Sequence, residues 1–313
     1  MRAFRYHAIG SPPRLDDVPV PVAGVGEVLV RVRFAGLNPV DWKLADGKFR
    51  YLVRGGRPRT MGGDFAGEVA AVGAGVTGFH EGDRVHGFID PFARPLGSFA
   101  DFVPVPAAFV VPLPDPIDFR DGAALPCAGV SAVALCDLGR VAGGTRVLVN
   151  GAAGGVGHMA VQVAKARGAT VSGTASTTRR EFVMALGADA FVDHATTPAD
   201  RWPASFDTVI DCVPNLPRRS HGRLVARDGH YVSTLPTAAT YTIDPVLNRL
   251  GRVKRSALML SPSEAAFQEL HRYVAGGRLR CAIEAEYPLE QVIAAIERSR
   301  SGHVQGKLLI RIA

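Results

Sequence analysis

A glycine-rich turn between a predicted strand and a predicted helix restricts the fold of this chain more than any other feature. Residues 145–169 read TRVLVNGAAGGVGHMAVQVAKARGA. The run Thr145–Asn150 predicts a short buried strand, and apolar residues recur at helical spacing from Val156 to Ala164. Where such a turn presents backbone N–H groups to a pyrophosphate, there is no room for Cβ atoms, and the helix N-terminus favours negative charge. The sequence therefore predicts a dinucleotide site at Gly151, Ala152, Gly154, Gly155, Val156 and Gly157. The alternative is a glycine-rich turn that binds no ligand.

The residues after the next predicted strand bear on the choice of nucleotide. An acidic residue there would hold a ribose 2′-hydroxyl and repel a 2′-phosphate. Residues 169–180 instead read ATVSGTASTTRR, without an acid. Hydroxyl and guanidinium groups suit a 2′-phosphate, which favours NADPH over NADH. The predicted contacts are Ser176, Thr177, Arg179 and Arg180. In the other interpretation, the two arginines only solvate the start of a helix.

Strand and helix signals change along the chain. Residues 1–118 hold short β-branched or aromatic segments separated by turns, among them the alternating VLVRVRF of Val28–Phe34, and predict a β-rich barrel or sandwich. Over residues 119–260 strands alternate with helix-sized segments, which predicts a doubly wound parallel sheet. Residues 261–313 hold an amphipathic helix and a closing strand. The predicted fold class is α/β.

Composition excludes several classes of protein. With 313 residues, of which 47% are hydrophobic and 21% charged, the chain is typical of a water-soluble protein with room for two domains. Long apolar runs are missing, so we expect neither export nor a membrane span, and a cytoplasmic location. The four scattered cysteines suit reduced thiols. A net charge of +7 indicates a basic surface or a phosphate-bearing ligand.

Several blocks of the sequence together resemble the medium-chain dehydrogenase/reductase superfamily, in its zinc-free quinone oxidoreductase-like branch. They follow one order over almost the whole chain: GLNPVDWK at 36–43, GGDFAGEV at 62–69, GDRV at 82–85, GSFADF at 97–102, the glycine cluster, and GHVQGK at 302–307. The resemblance implies a GroES-like substrate domain over 1–118, a Rossmann domain over 119–260, and a segment over 261–313 that returns to the first domain. It also implies a substrate cleft between the domains and a homodimer.

The resemblance gives a reason to expect a zinc-independent enzyme. Zinc-dependent relatives have a cysteine at the position of Asn38 and Gly-His-Glu at the position of Gly62–Asp64, and many carry a four-cysteine lobe that is missing here. Catalytic zinc needs about three N, S or O ligands in one place. Without it, hydride from NADPH needs an electrophilic acceptor, so we expect a reductase of quinones, α,β-unsaturated carbonyl compounds or enoyl thioesters.

Individual residues are also assigned by this resemblance. Asn38, Asp41 and Lys43 are the expected catalytic residues. Each has a plainer interpretation, in which Asn38 shapes the turn before Pro39, Asp41 caps the segment that follows it and Lys43 stays on the surface.

Further cofactor contacts are expected from the resemblance at Ser131, His194, Ser233 and Lys307. Ser131 replaces a threonine that contacts the cofactor in relatives; otherwise it is a buried helix residue. His194 either bonds the 2′-phosphate or pairs with Asp193. Ser233 ends a strand whose backbone holds the nicotinamide carboxamide, and Lys307 belongs to a block near the cleft.

A second function, from a different class, is a non-catalytic NADPH-binding protein with a structural or regulatory role that includes RNA binding. The basic charge is its only support in the sequence. Basic clusters interleaved with aromatic residues, which single-strand binders use, are not apparent. A small-molecule acceptor is therefore the expected partner.

Overall fold

A computed structural model describes residues 1–53, 56–260 and 263–313, without the side chain of Leu250. It divides into two compact units, unit 1 with residues 1–127 and 283–313, and unit 2 with residues 128–282. The sequence predicts boundaries near residues 118 and 260. The first boundary differs because the helix that starts at Phe119 packs on unit 1, where a Cβ on Gly122 would lie 2.9 Å from Leu113. The second differs because Glu269 is held in unit 2 by Arg167.

The strands and helices are numbered in chain order. The strands are β1 (Arg2–Tyr6), β2 (Arg14–Asp17), β3 (Glu27–Leu37), β4 (Arg59–Thr60), β5 (Asp64–Val72), β6 (Arg84–Phe88), β7 (Phe102–Pro106), β8 (Val110–Pro112), β9 (Arg146–Asn150), β10 (Thr170–Ala175), β11 (Ala190–Asp193), β12 (Phe206–Asp211), β13 (Val225–Ser233), β14 (Val253–Ala257), β15 (Ile283–Pro288) and β16 (Lys307–Arg311). The helices are α1 (Pro39–Ala45), α2 (Phe119–Ala124), α3 (Pro126–Leu138), α4 (Gly155–Ala166), α5 (Arg180–Ala185), α6 (Arg218–Leu224), α7 (Ala238–Thr242), α8 (Asp244–Leu250), α9 (Glu264–Ala275) and α10 (Val292–Arg300).

Unit 1 is the β-rich domain that the sequence predicts. Its larger sheet has the strand order β15-β16-β3-β5-β6-β8, with β7 also paired to β3, and a smaller sheet has the order β2-β1-β4. The alternating residues of β3 explain its central place, because Val28, Val30 and Val32 are completely buried on one face. The chain returns to this unit at its end, where β16 pairs antiparallel with β3.

Unit 2 is the predicted doubly wound domain. Its sheet has the order β11-β10-β9-β12-β13-β14, and all of its neighbouring strands are parallel. Because the strands are parallel, their carboxyl ends meet at one edge of the sheet. The strand order runs outward from β9 in both directions, and ligands bind at the carboxyl edge beside such a reversal of order. The glycine-rich turn joins β9 to α4 at this edge.

A helix that crosses a membrane must be both long and apolar, and the described helices do not meet this requirement. None of them is long and apolar enough to cross a bilayer, and α3, which runs through an apolar stretch, has only 13 residues.

Candidate functional site

The glycine-rich turn of unit 2 is built around two glycines that accept no side chain. Gly151 has φ +79°, and a Cβ on it would lie 2.3 Å from a methyl group of Val213. A Cβ on Gly157 would lie 2.0 Å from the carbonyl oxygen of Gly151. Both distances are far shorter than any van der Waals contact, so these residues allow α4 to start directly against the turn.

The N-terminus of α4 fits an anionic ligand. Its N-cap is Gly154, which has no side chain to accept the first N–H groups, and the first turn, with Gly155 and Val156, carries no acidic residue. A Cβ on Gly154 would be in ordinary van der Waals contact with the carbonyl oxygen of Gly151, at 3.6 Å, so this position is not crowded. Unsatisfied N–H groups and the helix dipole favour a phosphate there. The neighbouring Ala152 is buried.

A buried hydrogen-bond network ties together the strand ends below the turn. The hydroxyl of Thr174 donates to Asn150 Oδ1 at 2.7 Å and accepts from the Gly151 N–H at 3.1 Å. Asn150 Nδ2 donates to Asp211 Oδ1 at 2.8 Å, and the Tyr231 hydroxyl donates to the other oxygen of Asp211 at 2.5 Å. The network holds the ends of β9, β10, β12 and β13 in one arrangement. The sequence analysis did not identify it, although polar residues at the ends of buried strands were a visible signal.

The segment predicted to bind a 2′-phosphate follows β10. Ser176 and Thr178 share a hydrogen bond of 3.1 Å between their hydroxyls, and the Thr177 hydroxyl donates to the carboxylate of Asp193. Arg179 is half-buried, whereas the exposed Arg180 has its guanidinium 5.5 Å from the centre of the Phe191 ring. An unpredicted carboxylate, that of Asp193, therefore lies beside the predicted hydroxyls, and the contacts of these residues with a 2′-phosphate stay predictions.

The other predicted cofactor residues of unit 2 lie on separate elements. Ser131 is buried in α3, as its plainer interpretation expects. Ser233 is buried at the end of β13, where its hydroxyl donates to the Leu235 carbonyl at 3.2 Å. His194 is exposed directly after β11, and its backbone N–H donates to the Ala175 carbonyl at 3.2 Å. Their contacts with a nucleotide stay predictions.

Unit 1 contains a buried polar cluster formed by Asn38, Asp64 and Lys307. Lys307 Nζ donates to Asn38 Oδ1 at 2.7 Å and to Asp64 Oδ2 at 3.0 Å, and Asn38 Nδ2 donates to the same Asp64 oxygen at 2.9 Å. Pairing of β3 with β5 and β16 brings the three residues together, because Asn38 follows β3, Asp64 begins β5 and Lys307 begins β16. Their exposed fractions are 6%, 0% and 2%. We call these three residues the polar cluster.

Hydrogen bonds and charge stabilise an ion pair within the polar cluster. Burial raises the pKa of Asp64 above its usual value. The charge of Lys307 and hydrogen bonds from Asn38, Lys307 and the backbone N–H of Cys127, the last at 2.8 Å, act in the opposite direction and favour the ionised form. Burial is the largest influence on the pKa of Lys307 and lowers it, but the charge and hydrogen bond of Asp64, with contributions from Cys127 and Asp41, together outweigh burial and hold this pKa above its usual value. Lys307 is therefore an ammonium ion, bonded to a residue predicted to be catalytic. Its predicted contact with the cofactor stays a prediction.

Asp41 lies beside the polar cluster and caps α1 with one of its oxygens. Oδ2 accepts from the Asn38 N–H at 2.7 Å, as the capping interpretation expects. Oδ1 is buried and has no hydrogen-bond partner among the described residues. Burial, together with the charge of Asp64, raises the pKa of Asp41 to about 7. A carboxyl group of this kind gains or loses a proton near neutral pH.

Lys43 is not part of the polar cluster. It is half-buried in α1, with its ammonium group 5.4 Å from the centre of the Trp42 ring, and burial lowers its pKa. Lys43 is therefore less exposed than its plainer interpretation expects, and its catalytic role stays a prediction. Asp64 is the residue that the sequence analysis missed, since it was considered only as a replaced zinc-ligand block.

Comparisons with known proteins cover the whole chain. Residues 24–115 match the family "Alcohol dehydrogenase GroES-like domain", and residues 186–310 match the family "Zinc-binding dehydrogenase". The chloroplast envelope quinone oxidoreductase homolog of Arabidopsis thaliana is 31% identical over 99% of this chain and 98% of its own. The chloroplastic NADPH-dependent alkenal/one oxidoreductase of the same plant is 29% identical over 99% of this chain and 79% of its own. The structure of the quinone oxidoreductase from Coxiella burnetii superimposes with a TM-score of 0.92 at 29% identity, over 100% of this chain and 99% of that one.

Zinc, which the second family description names, does not fit the donor groups of the polar cluster. Catalytic zinc is bound by thiolate, imidazole and carboxylate groups. The cluster offers one carboxylate, already bonded to an ammonium ion, and an amide. Among residues 1–53, 56–260 and 263–313, no group of three or more His, Cys, Asp or Glu side chains is placed to hold a metal ion.

Proposed function

This chain belongs to the medium-chain dehydrogenase/reductase superfamily, in its quinone oxidoreductase branch, and on that basis we propose that it is an NADPH-dependent reductase of quinones or α,β-unsaturated carbonyl compounds. The names of its relatives support both acceptor classes. The alternative of a non-catalytic, RNA-binding protein gains no support from them. A cytoplasmic location and a homodimer stay predictions.

The polar cluster is the observation that carries this proposal. A chain that polarised an alcohol or carbonyl oxygen with zinc would need metal ligands, and this chain has an ammonium ion, an amide and a carboxylate there instead. Hydrogen-bond donors of this strength are enough for an acceptor that is already electrophilic, because its negative charge is delocalised onto oxygen as hydride arrives. The bound nucleotide would supply the hydride, and the protein orients the acceptor and excludes water.

Two features of unit 2 support a bound NADPH. The N-terminus of α4 suits the pyrophosphate, and Arg179 and Arg180 suit the 2′-phosphate. The named nucleotide of the alkenal/one oxidoreductase agrees with this choice.

The test of the function is consumption of NADPH, followed by its absorbance, with a panel of quinones, enones and enoyl thioesters. We expect turnover with NADPH that a metal chelator does not reduce, and a weaker reaction with NADH. Tight binding of NADPH without turnover on any acceptor would contradict the proposed function.

The test of the nucleotide is the double variant Arg179→Ala, Arg180→Ala. Loss of two charge-assisted contacts is expected to raise the Kd for NADPH about tenfold or more and to leave the Kd for NADH nearly unchanged. Arg227→Ala is a matched control, because that side chain is 73% exposed and lies on another element, β13. An equal effect on both nucleotides would contradict the assignment of the two arginines.

A further inference from the structure

Unit 1 buries an ion pair, formed by Lys307 and Asp64. Lys307 and Asp64 have exposed side-chain fractions of 2% and 0%, so both charges are removed from water. Buried ion pairs contribute little to stability compared with apolar side chains of the same size, since desolvation cancels most of the attraction. A chain that keeps such a pair beside residues expected to be catalytic therefore has another use for the ammonium ion.

The hydrogen bonds of Lys307 leave part of the ammonium group for a ligand. An ammonium ion has three N–H donors. Asn38 Oδ1 and Asp64 Oδ2 are its acceptors among the described residues, at 2.7 and 3.0 Å. The amide of Asn38 is fixed in orientation, since its oxygen faces Lys307 and its nitrogen faces Asp64. Both partners hold the ammonium group in one position, and the third N–H has no acceptor within the part of the chain that the structure describes.

We propose that the Lys307 ammonium group donates a hydrogen bond to the carbonyl oxygen of the acceptor, and that Asp64 is a positioning residue that keeps this buried ammonium group charged and oriented. Zinc-dependent relatives use a metal ion for the same purpose. The inference rests on the proposed function. In the reduction of an enone, hydride adds to the β-carbon, the electron pair of the double bond moves through the α-carbon onto oxygen, and Lys307 stabilises that oxyanion. A proton from solvent then completes the saturated product, so that NADPH, a proton and the enone give NADP⁺ and the ketone.

The proposal predicts how the rate depends on pH when Asp64 is changed to Asn. With the carboxylate present, Lys307 stays charged. Without it, burial, the largest influence, is opposed only by Cys127 and Asp41 among the groups that act on Lys307, and the pKa of Lys307 falls. The activity of Asp64→Asn should therefore gain an alkaline decline that the wild type lacks. The other titratable groups that act on Lys307 are Asp41 on α1 and the thiol of Cys127 at the start of α3. Cys127→Ala in the Asp64→Asn background should keep the decline.

Arginine at position 307 separates loss of charge from loss of structure. A guanidinium group does not lose its proton in the assay range. Adding Lys307→Arg to Asp64→Asn should therefore abolish the alkaline decline, whatever the absolute rate. Asp64→Glu, which keeps the carboxylate, should show no decline. Glu68→Gln, four residues further along the same strand, removes a half-buried carboxylate that pairs with Arg33 and serves as the control. An alkaline decline that persists with arginine, or a wild-type profile for Asp64→Asn, would overturn the proposal.

Changing Lys307 to Met distinguishes contact with the acceptor from contact with the nucleotide. We expect kcat/KM for the acceptor to fall about 100-fold, as for loss of one oxyanion donor, with an unchanged Kd for NADPH measured by its fluorescence. A raised Kd for NADPH with unchanged kcat would place Lys307 at the nucleotide and overturn the proposal.

A double variant that lacks both charges controls for the failure of a single variant to fold. If a single variant does not fold, the double variant Asp64→Asn, Lys307→Met leaves no unpaired charge, and it should fold and show the same loss of activity. A folded double variant with wild-type kcat would overturn the proposal.

Failure of the proposed function can be distinguished from failure of the Lys307 proposal. The proposed function fails if the wild type reduces no acceptor at all. The protonation of Lys307 remains measurable in that case. The stability of Asp64→Asn should rise with pH in the alkaline range, because its folded state binds fewer protons than the unfolded chain, whereas the double variant should show no such rise.

Discussion

Changing Asp41 to Asn should remove a dependence of stability on pH that the structure builds into unit 1. Burial raises the pKa of Asp41 from 3.8 to about 7. Between these values the folded chain keeps a proton that the unfolded chain releases, so the free energy of unfolding falls as pH rises from about 4 to about 7, and above that this group changes it no further. Asn has no such proton, and its oxygen can still accept from the Asn38 N–H.

The change in the free energy of unfolding follows from the shift in the pKa of Asp41. Between pH 5 and pH 8 the wild type loses about 3 kcal/mol through Asp41, so the stability of Asp41→Asn relative to the wild type should improve by about that amount over this range. Any constant cost of the amide, such as an unsatisfied N–H group, cancels in the comparison between the two pH values.

Urea unfolding at several pH values measures the difference. Fluorescence of Trp42 and Trp202 follows both units, since they lie in unit 1 and unit 2 respectively. Asp115→Asn removes a carboxylate whose side chain is 98% exposed, and is the control for loss of a surface ion pair, which contributes about 1 kcal/mol or less. A relative stability of Asp41→Asn that is the same at pH 5 and pH 8 would refute the argument that Asp41 is largely protonated below neutral pH.

Three further predictions concern unit 2. Gly157→Ala should lower the melting temperature and abolish NADPH binding, because its Cβ would lie 2.0 Å from a carbonyl oxygen. Gly154→Ala, whose Cβ would lie 3.6 Å from its nearest atom, should keep the melting temperature and only weaken NADPH binding. Equal melting temperatures of the two variants would contradict this prediction. Asp193→Asn should lower the Kd for NADPH relative to that for NADH, since it removes a carboxylate beside the predicted 2′-phosphate contacts, and an unchanged ratio in titrations would separate Asp193 from that site. Tyr231→Phe should cost about 1–3 kcal/mol in urea unfolding, because Asp211 loses a buried donor; a smaller cost would show that water replaces the hydroxyl.

Local patterns were enough to predict the elements that surround the nucleotide site. The alternation in Val28–Phe34 predicted β3, and the strand, glycines and helix of 145–169 predicted β9, the turn and α4. Such signals lie within a few residues of one another, because side-chain period and turn chemistry depend on the adjacent backbone. Short edge strands such as β14 and β15 were not predicted, since pairing with a neighbour rather than their own residues defines them.

By itself, the sequence determined the α/β class, the place of the nucleotide turn and the resemblance that led to a reductase. Only the tertiary structure decided which side chains act together. Asn38 lies 26 positions before Asp64 in the chain, and Lys307 lies 243 positions after it, so their contact depends on how β3, β5 and β16 pair. No local pattern specifies burial or these partners. The partners keep Lys307 charged and burial keeps a proton on Asp41, because the free energy of a charge depends on the water and the groups around it.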